Sequence, residues 1–143
     1  MRVTLQGIAR VSGYRCNVTN PDRLCMPIIY HITRKTDWET ARAAGAYAAD
    51  SLATEGFIHC STADQVIATA NRLFRGRHDL VLLCIDTGRV NAEIRHENLE
   101  GGSNLFPHVY GALATAAVRA IHDFPPQTDG SFELPLTLRG EDL

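Results

Sequence analysis

Asp79-Leu80-Val81-Leu82-Leu83-Cys84-Ile85-Asp86 is an unbroken apolar run between two acids, and Thr87-Gly88 follows it as a turn signal. The run neither alternates with polar residues nor repeats at helical spacing, and it is short for a helix. It therefore reads as a strand covered on both faces. Such a strand belongs at the centre of a sheet, and the rest of the chain is read outward from it.

Upstream, Val66, Ile67, Ala70, Leu73 and Phe74 recur at helical spacing. Ser61-Thr62-Ala63-Asp64 reads as the capping box of that helix, and Arg75-Gly76-Arg77 ends it. Thr36-Asp37-Trp38-Glu39 is a second capping box, with Thr36 as N-cap, opening an Ala-rich helix that Gly45 stops. A short turn over 46–53 leads to Gly56, and Phe57 to Cys60 reads as a strand. Downstream, Glu93 to Glu97 is expected as a short strand, Glu100-Gly101-Gly102-Ser103-Asn104 as a loop and Phe106 to Tyr110 as another strand. Residues 112–124 fit a helix or a turn followed by a strand, and the turn-rich stretch after Pro125-Pro126 is expected at the surface. This order predicts an α+β fold more than a regular parallel α/β one. Residues 1–25 carry four arginines against one acid, without apolar periodicity, and read as an extension to a single domain spanning 26–143. A transit leader is the competing reading of that extension.

With 143 residues, 45% hydrophobic and 21% charged, the chain suits one domain with one core. A net charge of -2 gives no basic surface for gripping a nucleic-acid backbone. No apolar run is long enough to cross a bilayer or to serve as a secretory signal, so a cytoplasmic protein without a membrane partner is expected. Cys16, Cys25, Cys60 and Cys84 show no C-x-x-C spacing and read as free thiols. Cys60 adjoins His59, but neighbours on a strand face opposite ways, which argues against a Cys-His nucleophile.

The chemistry is carried by three segments that place an apolar residue, a histidine and a hydroxyl at every second position: Ile29/His31/Thr33, Phe57/His59/Ser61 and Phe106/His108/Tyr110. On a strand, each triple projects from one face. If the strands lie together, three imidazoles and three hydroxyls converge on one volume rimmed by Ile29, Phe57 and Phe106. Histidine titrates near neutrality and both donates and accepts hydrogen bonds, so such a cluster suits proton transfer or the binding of ribose hydroxyls and phosphates. A lone strand histidine is ordinarily a packed residue, and three imidazoles also make a common zinc set. However, short ligand pairs are missing, and hydroxyls rather than carboxylates recur beside the rings. Glu97, eleven positions before His108, is the candidate carboxylate; His78, His96 and His122 read as surface or core residues. Trp38 reads as packing, and Gly101-Gly102 is a weak phosphate signal. The dinucleotide, P-loop, nucleophile-elbow and zincin motifs are lacking.

From Met26 to about Ile121 the chain resembles a family of small, mostly bacterial proteins known as domain of unknown function 952. The resemblance lies in Ile29-Tyr30-His31-Ile32-Thr33, Trp38, Gly45 with Tyr47, Ser51-Leu52, Glu55-Gly56-Phe57-Ile58-His59-Cys60-Ser61, Gln65, Ala70-Asn71, the run from Asp79 to Leu83, Glu97, and Phe106-Pro107-His108-Val109-Tyr110-Gly111. His96 departs from it, standing where an aromatic precedes the glutamate. The resemblance implies a fold similar to ADP-ribosyltransferases, a split and strongly bent sheet with a cleft between its halves. It further implies that His31 and Thr33 contact a ribose of NAD, that Phe57, His59 and Ser61 form the second motif, and that Glu97 or His108 fills the third. Phe57, Phe106 or Tyr110 would stack on the leaving ring, and His59 or Glu97 would position the acceptor or the ribose 2′-hydroxyl. NAD enters this reading as a substrate, with no cofactor firmly implied and the acceptor open. Enzymes of similar fold that handle phosphorylated RNA ends are a related possibility, though no arginine cluster adjoins the histidine motifs. A non-catalytic small-molecule binding module and a His-ligated metal-dependent hydrolase are the competing readings.

Overall fold

A computed structural model describes residues 27–141. Twelve elements follow in chain order: β1 (Ile28–Arg34), α1 (Lys35–Ala44), β2 (Ala46–Tyr47), α2 (Asp50–Glu55), β3 (Ile58–His59), α3 (Val66–Leu73), β4 (Leu80–Asp86), β5 (Glu93–Glu97), β6 (Phe106–Tyr110), β7 (Leu113–Ala114), β8 (Val118–Asp123) and α4 (Leu136–Glu141). The expected extension over 1–25 lies outside the described residues.

The apolar run does form the centre of a sheet. β4 lies between β1 and β8, antiparallel to both, and Leu80 to Ile85 are all buried. Because strand side chains alternate, β4 feeds two cores. Val81, Leu83 and Ile85 join Ile29, Trp38, Tyr47, Ile58, Val109 and Leu113 on one side. Leu80, Leu82 and Cys84 join Tyr30, Ile32, Val66, Ala70, Phe124, Phe132 and Leu138 on the other. This double duty is why the run shows no alternation in the sequence.

A second three-stranded sheet has the order β3-β6-β5, and β2 pairs with β7 in a small two-stranded one. The two larger sheets meet where Tyr30 and Ser61 exchange both backbone hydrogen bonds at 2.8 Å. The result is a small α+β domain with antiparallel sheets and short helices. Among the described residues no helix is long and apolar enough to cross a membrane.

Several local expectations are corrected. Arg34, not Thr36, occupies the N-cap of α1, so Thr36 sits inside the helix; Gly45, at φ 89°, ends it as expected. Gln65, not Ser61, occupies the N-cap of α3 and makes no side-chain cap bond; its Oε1 instead accepts from the Thr62 N–H at 3.0 Å across the turn that leads into the helix. The expected turn over 46–53 is a strand followed by α2. Residues 112–124 resolve toward the turn-and-strand alternative, with β8 as an edge strand. The stretch after Pro126 is not all surface, because Phe132 and Leu138 are buried and Phe132 stacks on Phe124 at 4.9 Å.

Candidate functional site

The second and third triples lie side by side. β3 and β6 pair with His59 directly opposite His108, and β5 pairs with Glu97 opposite Phe106, which puts Glu97 diagonally beside His108 on the same face. The His108 Nδ1–H donates to Glu97 Oε2 at 2.9 Å, and the Tyr110 hydroxyl donates to the same oxygen. Those two bonds, Tyr110 first, hold the Glu97 carboxyl below its ordinary range, and the same carboxylate raises the Tyr110 phenol. The Phe57 ring stacks on His108 at 4.1 Å and 18°, and the His59 ring meets His108 edge-on at 5.2 Å. Arg95 lies over Tyr110 at 4.4 Å and is held by Glu93.

Gly56 explains how His59 comes to face an acid. At φ 90°, in the left-handed region that suits glycine, it closes α2 with its N–H on the Ser51 and Leu52 carbonyls and turns the chain into β3. Ser51 Oγ secures the turn by donating to the Phe57 carbonyl at 2.7 Å. Across this turn the His59 Nε2 lies 3.2 Å from both Glu55 carboxylate oxygens.

The first triple is used differently. His31 is buried, and its Nδ1 lies 2.5 Å from the His59 carbonyl, which can only accept. Burial drives the imidazole pKa down to about 4, so the ring is neutral with its proton on Nδ1. Nε2 must then accept from the Tyr47 hydroxyl at 2.7 Å, and Thr33, 2.9 Å from that hydroxyl, completes the chain as a donor. Burial also raises the Tyr47 phenol to about 12, keeping it a proton donor. The relay Thr33, Tyr47, His31 thus ends on the backbone of His59 and fixes the position of β3 against β1.

His31, His59, His108, Phe57, Phe106, Ser61 and Glu97 all line one cleft of about 450 Å³, which Glu55, Arg72, Leu73 and Leu99 share. Thr33 and Tyr47 line a second cleft of about 640 Å³ with Arg34, Asp37 and Arg77, and the two clefts adjoin at His31, Ile32 and Phe74. The single volume expected for all three triples is therefore divided. Ile29 does not rim it but lies in the core, and Tyr110 stands behind its wall, touching Glu97 and Phe57. Cys60 lines the first cleft as a buried thiol whose pKa burial pushes up, a poor nucleophile. The Gly102 N–H is taken by Asn98 Oδ1 at 3.1 Å, so the Gly-Gly pair does not offer it to a phosphate.

Among the described residues no three His, Cys, Asp or Glu side chains are arranged to hold a metal ion. The three imidazoles do not fit such a set, since His31 spends both nitrogens internally. Sequence reasoning missed Tyr47, Glu55 and Arg72 as parts of the site. Glu55 stands four residues before His59 across a glycine, which is a usable signal; Tyr47, in an Ala-rich stretch, gives none by spacing.

Residues 32–121 match the family described as Protein of unknown function (DUF952). The crystal structure of protein CC0527 from Caulobacter crescentus is 32% identical, with a TM-score of 0.71 over 78% of this chain and 98% of that one. Its solution NMR structure, also 32% identical, gives 0.68 over 82% and 97%. Among curated proteins nothing matches. With the match spanning most of the chain and a structural relative aligned over nearly its whole length, this chain belongs to the DUF952 family.

Proposed function

We propose that the first cleft binds the ribosyl end of a nucleotide of the NAD or ADP-ribose type, within a fold similar to ADP-ribosyltransferases. The observation that carries this reading is the His108–Glu97 pair, stacked on Phe57, with His108 Nε2 left without a partner among the described residues. A carboxylate-oriented imidazole next to an aromatic wall suits a ribose, whose hydroxyls donate to acceptors of this kind and whose attached ring stacks. The two three-stranded sheets, joined at Tyr30 and Ser61 with the cleft between β1 and β3-β6, support the split sheet that the family resemblance implies.

In the catalytic form of this reading the C1′–N bond of NAD breaks, its electron pair leaves with nicotinamide, and an oxocarbenium-like ribosyl centre develops. Glu97 and Glu55, both on the cleft wall, stabilise that charge. An acceptor hydroxyl then forms the new C1′–O bond and passes its proton to His108 Nε2. His31 is a positioning residue here, acting through the His59 backbone. Tyr47 and Thr33 hold its tautomer.

The test is an NMR titration of the full chain with NAD and ADP-ribose, repeated on His59→Ala, with chromatography for nicotinamide after long incubation. The reading predicts saturable shifts at His59 and His108 that vanish in the folded variant. No shift with either ligand, or unchanged binding by the variant, overturns it. Binding without nicotinamide release assigns the cleft to a non-catalytic binding module.

A further inference from the structure

The polarity of the first cleft narrows its ligand further than its volume does. His108 donates Nδ1–H to Glu97, so in the neutral ring Nε2 is a lone pair on a side chain only 6% exposed, set in the cleft wall and without a partner among the described residues. His59 repeats the arrangement: with Nε2–H directed at the Glu55 carboxylate, its Nδ1 is also an acceptor. His31 adds no donor, because both of its nitrogens are engaged inside the protein. Among the described residues, the carboxylates of Glu55, Glu97 and Glu100 line this cleft against the one guanidinium of Arg72. An anion entering would give up its hydration for a wall of lone pairs and negative charge, while a cation bearing hydroxyls would find partners for each group.

Resting on the nucleotide reading above, we infer that the cleft selects the donor-rich, cationic end of its ligand, an N-ribosylpyridinium with free hydroxyls, and rejects phosphate esters. The ribose hydroxyls donate to His108 Nε2 and to His59. The positive ring lies beside Phe106, the partly exposed aromatic of the cleft wall, with the carboxylates around it, an arrangement favoured by both the ring quadrupole and simple Coulomb attraction. Any phosphate of a larger nucleotide lies outside this cleft, which sets phosphorylated RNA ends aside as its ligand.

The experiment titrates the full chain at pH 8, above the ordinary imidazole range, with three probes of similar size. These are nicotinamide riboside, its uncharged dihydro form and ribose 5-phosphate, followed at the ring signals of His59 and His108. The cationic riboside is expected to bind about tenfold tighter than the dihydro form, with ribose 5-phosphate weakest, and Glu97→Gln should narrow the first gap. Ribose 5-phosphate binding as tightly as the riboside, or equal affinity for the charged and uncharged nucleosides, overturns the inference and leaves the nucleotide reading in place. If NAD, ADP-ribose and the nucleosides all fail to bind, the nucleotide reading falls and 1-methylnicotinamide decides the polarity alone: shifts at His108 uphold it, and their absence overturns it.

Discussion

His31 and His108 occupy equivalent places in two triples of the same pattern, yet the two sheets put them to opposite use. In the β1-β4-β8 sheet, His31 is neutral, buried and bonded through both nitrogens to protein groups. In the β3-β6-β5 sheet, His108 is just as buried but spends only one nitrogen, on Glu97, and turns the ring toward a cleft. The surroundings explain the difference. On β1, buried from Ile29 to Thr33, His31 meets the Tyr47 hydroxyl and the His59 carbonyl, whereas His108 lies beside β5, a half-exposed strand that presents Glu97 to one nitrogen and nothing to the other. A shared sequence pattern therefore specifies the direction of a side chain but not its task, which depends on what lies across from it.

The largest test of this division is in the central sheet. Leu83→Ala, at a fully buried site, should lower unfolding stability by about 3–4 kcal/mol in a urea titration. The ligand affinity of the remaining folded protein should not change. A large loss of affinity at equal folded fraction would show that the two sheets are not separable.

Next in size is the cost of keeping His31 neutral. Its folded pKa of about 4 lies below the ordinary 6.5, so the stability it contributes is complete above pH 6.5 and is lost as the pH falls toward 4. The integrated change is about 3 kcal/mol. Wild-type unfolding curves should show this slope and His31→Gln should not; parallel pH profiles would remove His31 from its structural role.

Glu97→Gln probes the other sheet. Losing the charge that orients His108 should weaken NAD binding by roughly tenfold, the scale of one charge-assisted hydrogen bond, with little movement of the unfolding midpoint. The reverse result, lost stability and intact binding, would make the second sheet as structural as the first. The smallest effects concern the corrected helix starts: Gln65→Ala, which removes the bonds to the Thr62 N–H and the Leu105 carbonyl, should cost about 1 kcal/mol, and Thr36→Ala, which removes no cap, should stay within about 0.5 kcal/mol in the same assay.

What the sequence made legible was local or periodic. The run from Leu80 to Ile85 announced a two-faced strand because burial on both sides leaves only one composition. The alternation around His59 and His108 announced two strands whose like faces then met in register. The capping boxes expected at Thr36 and Ser61 do not form: α1 and α3 start after Arg34 and Gln65 without a side-chain cap, so packing and not cap chemistry sets both starts. Phe132 and Leu138 were read as surface because prolines and turn residues surround them, and their burial depends on Phe124 and the far face of β4. Tyr47 was opaque to spacing for a similar reason: its partners, His31 and Thr33, are on a strand that precedes it by a whole helix.

The pairing of β1 with β4 also sets an order in time. Ile28 faces Asp86 and Arg34 faces Leu80, so the partners are separated by three helices, α1, α2 and α3, and by the short strands β2 and β3. On a growing chain β1 must wait, with its edge unpaired, until β4 has been synthesised, and β8 later still. The β5–β6 hairpin, whose strands are joined by one loop, faces no such delay. The wall that carries Glu97 and His108 can therefore assemble quickly, while closure of the cleft against β1 belongs to the slow, long-range step that completes the molecule.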